Sequence, residues 1–211
     1  MRLTFVRHGL PETQVLENGP ADPGLSHTGS AQAAALGDWL GREPVDAIVT
    51  SPARRAVQTA APLARRCRLS TITARELDEF DAGSPSYVPV EDMRAAGDPR
   101  WDLLRQGRLY GTDSEAREFR GRVVAAVESL VVAHPAWHVV VFCHGGVINA
   151  YLGHILGIDT PLWFAARYTG ISRVLASRSG ERSLVSLNEV PHLPREEVRV
   201  AQTGAPEVIV Q

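Results

Sequence analysis

Short apolar runs alternate along the chain with segments whose apolar residues recur at helical spacing. Leu3-Thr4-Phe5-Val6 is an extended, partly β-branched run that feeds Arg7-His8-Gly9. A polar loop, Leu10 to Pro23, follows. Leu25-Ser26-His27-Thr28-Gly29 then leads into a helix, with Ser26 or Thr28 as its cap, Ala33, Leu36 and Leu40 on one face, and Gly41 as its stop. Val45–Thr50 reads as a short buried strand. Ser51-Pro52 next opens a helix, serine as cap and proline at the first helical position, which puts Arg54 and Arg55 in the first turn. Arg68–Thr73 is a third strand. Residues 84–112 hold Pro85, Pro89 and Pro99 and predict an irregular, lid-like excursion with short helical pieces at most. Asp113 or Ser114 caps a long helix whose Phe119, Val123, Val127, Leu130 and Val131 share a face, ending at His134-Pro135. His138–Cys143 is the most apolar strand, hence central. It switches at His144-Gly145-Gly146 into a helix from Val147 to Leu156 with Gly157 as its stop. Ile171–Ser177 and Leu184–Val190 form a hairpin across Arg178-Ser179-Gly180, and residues 194–211 read as a tail.

Composition narrows the chemistry. With 211 residues, 44% hydrophobic and 22% charged, the sequence suits one globular domain spanning 1–211. A formal charge of -2 gives no reason to expect nucleic acid or an anionic membrane as partner. All 22 basic side chains are Arg, which excludes a P-loop lysine, a Schiff-base lysine and a lysine general base. A phosphate held by charge must therefore be held by guanidinium forks. Cys67 and Cys143 make no disulfide framework, and no leader or membrane span is visible, so the cytoplasm is the expected location.

Strands alternating with helices imply an α/β fold with a mostly parallel sheet, whose strand C-termini align on one edge. Ligands bind at that edge in open α/β sheets. It gathers Arg7-His8-Gly9, Ser51-Pro52 with Arg54-Arg55, and His144-Gly145-Gly146. Two arginines at a helix N-terminus oppose the macrodipole, a conflict that a bound anion relieves; one is expected to bind it and one to face solvent. Gly9 is expected to permit close backbone approach or an unusual conformation. The carboxylates Glu76, Asp78, Glu79 and Asp81 cluster after the third strand, and one of them is expected to matter.

The sequence resembles the histidine phosphatase superfamily, with its phosphoglycerate-mutase-like three-layer α/β/α sandwich. The matching residues are Arg7-His8-Gly9, Asp22-Pro23-Gly24-Leu25-Ser26 with Gly29, and Ser51-Pro52-Ala53-Arg54-Arg55-Ala56-Val57-Gln58-Thr59-Ala60. Glu79 with Gly83, Cys143-His144-Gly145-Gly146-Val147-Ile148, and Asn188 with His192-Leu193 complete the set. The resemblance implies His8 as a nucleophile that becomes phosphohistidine, Arg7 and Arg55 as clamps on the phosphoryl oxygens, and His144 as a further donor. Gly145 adds phosphate contact, and Glu79 is the acid that protonates the leaving oxygen. Arg55 is preferred to Arg54 because it directly precedes the Ala of Arg-Ala-x-x-Thr-Ala. Physical chemistry favours the same roles: phosphoryl transfer needs in-line positioning and cationic stabilisation, and flanking arginines keep His8 neutral. A backbone carbonyl is expected to fix its tautomer.

Glu12, Thr13 and Gln14 are candidate substrate contacts, and Tyr87, Arg94, Trp101 and Tyr110 either line the pocket or pack against it. Family members often follow the acid with Gly-x-Trp-Glu-Gly, whereas this chain has Gly83-Ser84-Pro85-Ser86, so the substrate stays open. The expected function is a metal-independent phosphomonoesterase acting on a small phosphorylated metabolite, with no cofactor, metal, nucleic acid or membrane; a homodimer is left open. The alternatives are a phosphoglycerate-type phosphomutase and a catalytically silent phospho-ligand binding protein. A metal hydrolase built on His8 and His144 lacks a close ligand pair.

Overall fold

A computed structural model describes residues 1–105 and 111–194. The elements in chain order are β1 (Arg2–Arg7), β2 (Gln14–Val15), α1 (His27–Leu40), β3 (Ala47–Thr50), α2 (Arg54–Cys67) and β4 (Thr71–Thr73). They continue through β5 (Ser86–Tyr87), α3 (Val90–Ala96), α4 (Pro99–Arg105), α5 (Asp113–Ala133), β6 (His138–Cys143), α6 (Gly145–Leu156), β7 (Ile171–Ala176) and β8 (Arg182–Glu189). The main sheet runs β4-β3-β6-β1-β7-β8. The first four of these strands are parallel, and β7 and β8 add antiparallel at one edge. The mostly parallel sheet is therefore as expected, and β6, buried at every position, lies inside it between β3 and β1.

Alternation along the central strands divides the core between two helical layers. Leu3, Phe5, Val139 and Val141 face α5 and α6 through Val123, Val127, Val147, Ile148 and Tyr151. Val6, Val140, Phe142 and Ile48 face α1 and α2 through Leu36, Leu40, Ala60 and Leu63. Both faces of the parallel strands are covered, which is why these strands read as unbroken apolar runs.

Several boundaries differ from the sequence expectation. α2 starts at Arg54 after Ala53, whose methyl side chain cannot cap, and the Ser51 hydroxyl reaches only the Ala53 N–H besides its bonds to Asp78 and His144. The Arg54 N–H is instead taken by Asp22 Oδ1 at 2.9 Å, a cap supplied by a distant loop. α5 is capped by Thr112 rather than Asp113 or Ser114, in a capping box with Glu115. Ser26 caps α1, and Arg68 is a left-handed C-cap of α2 rather than strand. Residues 84–105 hold more regular structure than expected: β5 pairs with β2, and α3 and α4 are short helices. Tyr110 and all of the expected tail beyond Pro194 lie outside the described residues.

Gly9 is required for packing. A Cβ there would meet the carbonyl oxygen of Gly29 at 2.7 Å, and one on Gly29 would meet that of Leu10 at 2.0 Å. The loop leaving β1 and the start of α1 thus touch backbone to backbone, and Gln32 Oε1 accepts the Leu10 N–H there at 3.0 Å.

Candidate active site

β1 and β6 are paired in register through Arg7 and Cys143, so His8 and His144 emerge side by side at the C-terminal edge. Their ring centroids are 5.2 Å apart. Both rings are buried, His8 at 2% and His144 at 1% exposure. Nδ1 of His8 lies 2.8 Å from the Gly9 carbonyl oxygen, which accepts its proton and leaves Nε2 as the free base. Burial holds the His8 pKa well below the usual imidazole value, aided by Arg55, His144 and Arg7 and opposed only by the Gly9 carbonyl. The ring is therefore neutral at physiological pH, as a nitrogen nucleophile requires.

The two arginines reach the pair from different elements, and each guanidinium is braced on an aromatic face. Arg7 ends β1, with its Cζ 3.8 Å from the Tyr168 ring centroid and an N–H donated to the Ala166 carbonyl at 2.7 Å. Arg55, in the first turn of α2, sits 4.5 Å from the Tyr87 centroid. Such stacking contributes about 0.5–2 kcal/mol and fixes the plane of the fork. The rings of Tyr168 and Tyr87 lie 5.7 and 6.4 Å from that of His8, which closes the circle. Arg55 is only 3% exposed, its Nε has no partner, and its ion-pair partner Asp22 lies 3.8 Å away. Arg54 is exposed, in contrast to the buried Arg55 beside it.

Glu79 is attached to the same edge. Its Oε2 accepts the Gly146 N–H at 2.8 Å and its Oε1 that of Phe80 at 3.1 Å. Burial, reinforced by the Asp81 carboxylate, raises its pKa to about 7 against the pull of these amides and Arg55. Glu76 is exposed, and Asp78 instead accepts the Ser51 hydroxyl at 2.8 Å. Asp81 is also pushed upward by burial. Arg122 of α5 holds the backbone of the whole acidic segment, donating to the carbonyls of Glu76 at 2.6 Å and Asp78 at 3.1 Å. Gly145 opens α6, where an added Cβ would be 3.8 Å from Arg7 Nε.

The candidate substrate contacts are not brought into this circle equally. Glu12 and Thr13 are exposed, and the Thr13 hydroxyl donates to Asp92 of α3 at 3.1 Å. Gln14 pairs through its backbone with Tyr87, and its Oε1 is buried without a partner. Arg94 and Trp101 pack on each other, 5.9 Å from guanidinium to ring centroid.

Ser51, Asp22 and Tyr168 were missed as site residues. Local pattern explains the first, since Ser-Pro before a helix reads as a cap. Tyr168 sits in an irregular segment whose only sequence signal is its distance from any regular element. Thr169 beside it adopts φ 55, costly for a β-branched residue. It is held by donation of its N–H to the Arg7 and His8 carbonyls at 3.0 and 3.3 Å and by a 2.9 Å contact from its hydroxyl to His192 Nε2. Asn188 accepts the Arg167 N–H and donates to the Ala165 carbonyl, so the C-terminal motif shapes the backing of Arg7.

The family model "Histidine phosphatase superfamily (branch 1)" matches residues 3–190. Phosphoserine phosphatase 1 of Hydrogenobacter thermophilus is 28% identical over 200 residues, covering 92% of this chain and 94% of that one. Glucosyl-3-phosphoglycerate phosphatase of Mycobacterium tuberculosis is 27% identical over 175 residues, 77% of this chain and 78% of the other. Among solved structures, a phosphoserine phosphatase mutant from Entamoeba histolytica in complex with phosphoserine superposes with a TM-score of 0.72 at 20% identity, over 92% of this chain and 99% of that one. The chain belongs to the histidine phosphatase superfamily. Its relatives there are small phosphatases, and it is a phosphatase, a hydrolase of phosphoric monoesters.

Proposed function

We propose that the chain hydrolyses a small phosphorylated metabolite through a phosphohistidine on His8, in one catalytic domain whose residues 84–105 form the wall on the leaving-group side. The carrying observation is the buried set of unfilled donors and bases: Arg55 Nε and His144 Nδ1 have no partner beside the tautomer-fixed His8. Buried polar groups left open in this way fit an anion with several acceptor oxygens.

In the first half-reaction Nε2 of His8 attacks phosphorus while Arg7 and Arg55 neutralise the equatorial oxygens. The P–O bond to the leaving group breaks as Glu79, protonated near neutrality because its pKa is about 7, delivers its proton to that oxygen. In the second half-reaction Glu79 takes a proton from water, which attacks phosphorus and releases His8. Guanidinium groups supply the charge that a metal would otherwise supply. Among the described residues no group of three or more His, Cys, Asp or Glu is arranged to hold a metal ion. None of the described helices is long and apolar enough to cross a membrane. The relatives named for phosphoserine and glucosyl-3-phosphoglycerate support a substrate that joins a phosphoryl group to a small polar, carboxylate-bearing body.

The test is to quench turnover of a labelled phosphomonoester in acid and in base. Phosphate that stays on the protein in base and is lost in acid, and that is absent in His8→Ala with activity abolished, is the expected result. A fully active His8→Ala enzyme would end the mechanism. Supplying phosphoglycerate and measuring free phosphate against isomer separates hydrolysis from mutase action.

A further inference from the structure

His144 cannot donate to a phosphoryl oxygen in the protonation state that the protein groups around it impose. Its Nε2 lies 2.8 Å from Ser51 Oγ. That hydroxyl has one proton and gives it to Asp78 Oδ1 at 2.8 Å, while also accepting the Ala53 N–H at 3.2 Å. The carboxylate fixes the direction of the chain: Asp78 accepts, Ser51 donates to it, and Ser51 must accept from His144. The ring proton of neutral His144 is therefore on Nε2, pointing away from the site. Nδ1 carries a lone pair, buried and without a partner.

We propose that Asp78 and Ser51 are positioning residues that hold His144 ready to take up a proton at Nδ1 when a phosphoryl group binds, and that stabilise the resulting imidazolium. This rests on the phosphatase reading above and adds to it a relay and a proton. On binding, one proton enters Nδ1 from solvent or from the phosphate monoanion itself. The new N–H then donates to a phosphoryl oxygen. Ser51 and Asp78 neither gain nor lose a proton; the hydroxyl transmits the field of the carboxylate to the ring. The arrangement parallels an acid–histidine pair with a hydroxyl inserted between its members.

The surroundings explain why a relay is needed. His144 faces Arg7 and His8 from β1 and Arg55 from α2, and Glu79 is bound to the adjoining Gly146. Burial and the two arginines favour the neutral ring. A phosphoryl dianion reverses that balance by neutralising the arginines, and Asp78 supplies the fixed negative charge on the far side. Arg122 and Ser51 anchor that carboxylate segment against α5 and β3, so it stays in place when the ligand leaves.

The experiment uses inorganic phosphate and the full chain. Ring ¹⁵N spectra of the wild type at pH 7 should show His144 as the neutral Nε2–H form alone and doubly protonated once phosphate saturates the site. A ring that stays neutral in the saturated protein overturns the proposal without any variant. Ser51→Ala and Asp78→Ala should weaken phosphate binding about 10- to 100-fold near neutrality, the range expected for loss of a charge-assisted hydrogen bond. Their affinity should recover as the pH falls, and Ser51→Thr should restore the wild-type profile. Folded variants whose phosphate affinity and pH profile match the wild type also overturn it. If the wild type neither binds phosphate nor needs His8 for turnover, the phosphatase mechanism itself falls, an outcome distinct from an active enzyme indifferent to Asp78.

Discussion

The two sides of the pocket are built to different standards. On the phosphoryl side His8, Arg55 and His144 are buried and fixed in turn by the adjoining Gly9 carbonyl, the face of Tyr87 and the Ser51 hydroxyl. On the side proposed for the leaving group the polar groups largely satisfy one another. Arg100 is held by Asp98 and by Ser86 at 3.0 Å, and Thr13 is held by Asp92. The wall rests on a two-residue ribbon, β2 with β5, and on two seven-residue helices. A rigid half suits a group common to every substrate. A lightly anchored half suits a group that varies, because a few side-chain changes there leave the chemistry standing.

Substitutions can break that contrast. The largest effect after loss of His8 should come from Arg55→Ala, about a 10²–10³-fold fall in kcat, the range for removing one preorganised charge-stabilising donor. It should hit every phosphomonoester alike; a loss confined to one substrate would move Arg55 to the specificity side. Glu79→Gln should lower kcat by about 10²-fold or more for poor leaving groups and much less for p-nitrophenyl phosphate, whose leaving oxygen needs no proton. The sign of the pH effect follows from the raised pKa. Glu79 acts as an acid below about 7, so the rate should fall as pH rises through that value, and this limb should vanish in Glu79→Gln. A limb retained in the variant would assign the titration to another group, Asp81 first. Smallest of all, Arg100→Ala should alter kcat for p-nitrophenyl phosphate by less than about threefold, since a partly exposed ion pair contributes little. Its KM should shift unevenly across a panel of phosphorylated metabolites, and an even loss would put Arg100 among the phosphate-binding groups.

The same contrast governs what can be read from the sequence. β1, β3 and β6 announce themselves because burial on both faces demands unbroken apolar runs, and their ends locate Arg7, His8 and His144. Ser51 shows the limit: its neighbour Pro52 signals a local cap, while its actual partners are 27 and 93 positions away. Asp22 is similar, a cap for a helix that starts 32 residues later. Thr112 was legible, since Thr112 and Glu115 have capping-box spacing. In residues 84–105 Pro and Gly obscure the short helices, whose length depends on packing rather than propensity.

Arg7 is backed by residues 159 positions later, and Thr169, which grips β1, is itself gripped by His192. The first strand therefore has its full surroundings only after residues 166–192 have left the ribosome. Pairings this distant form slowly, so the backing of Arg7 is expected late in folding, after the central parallel strands have met.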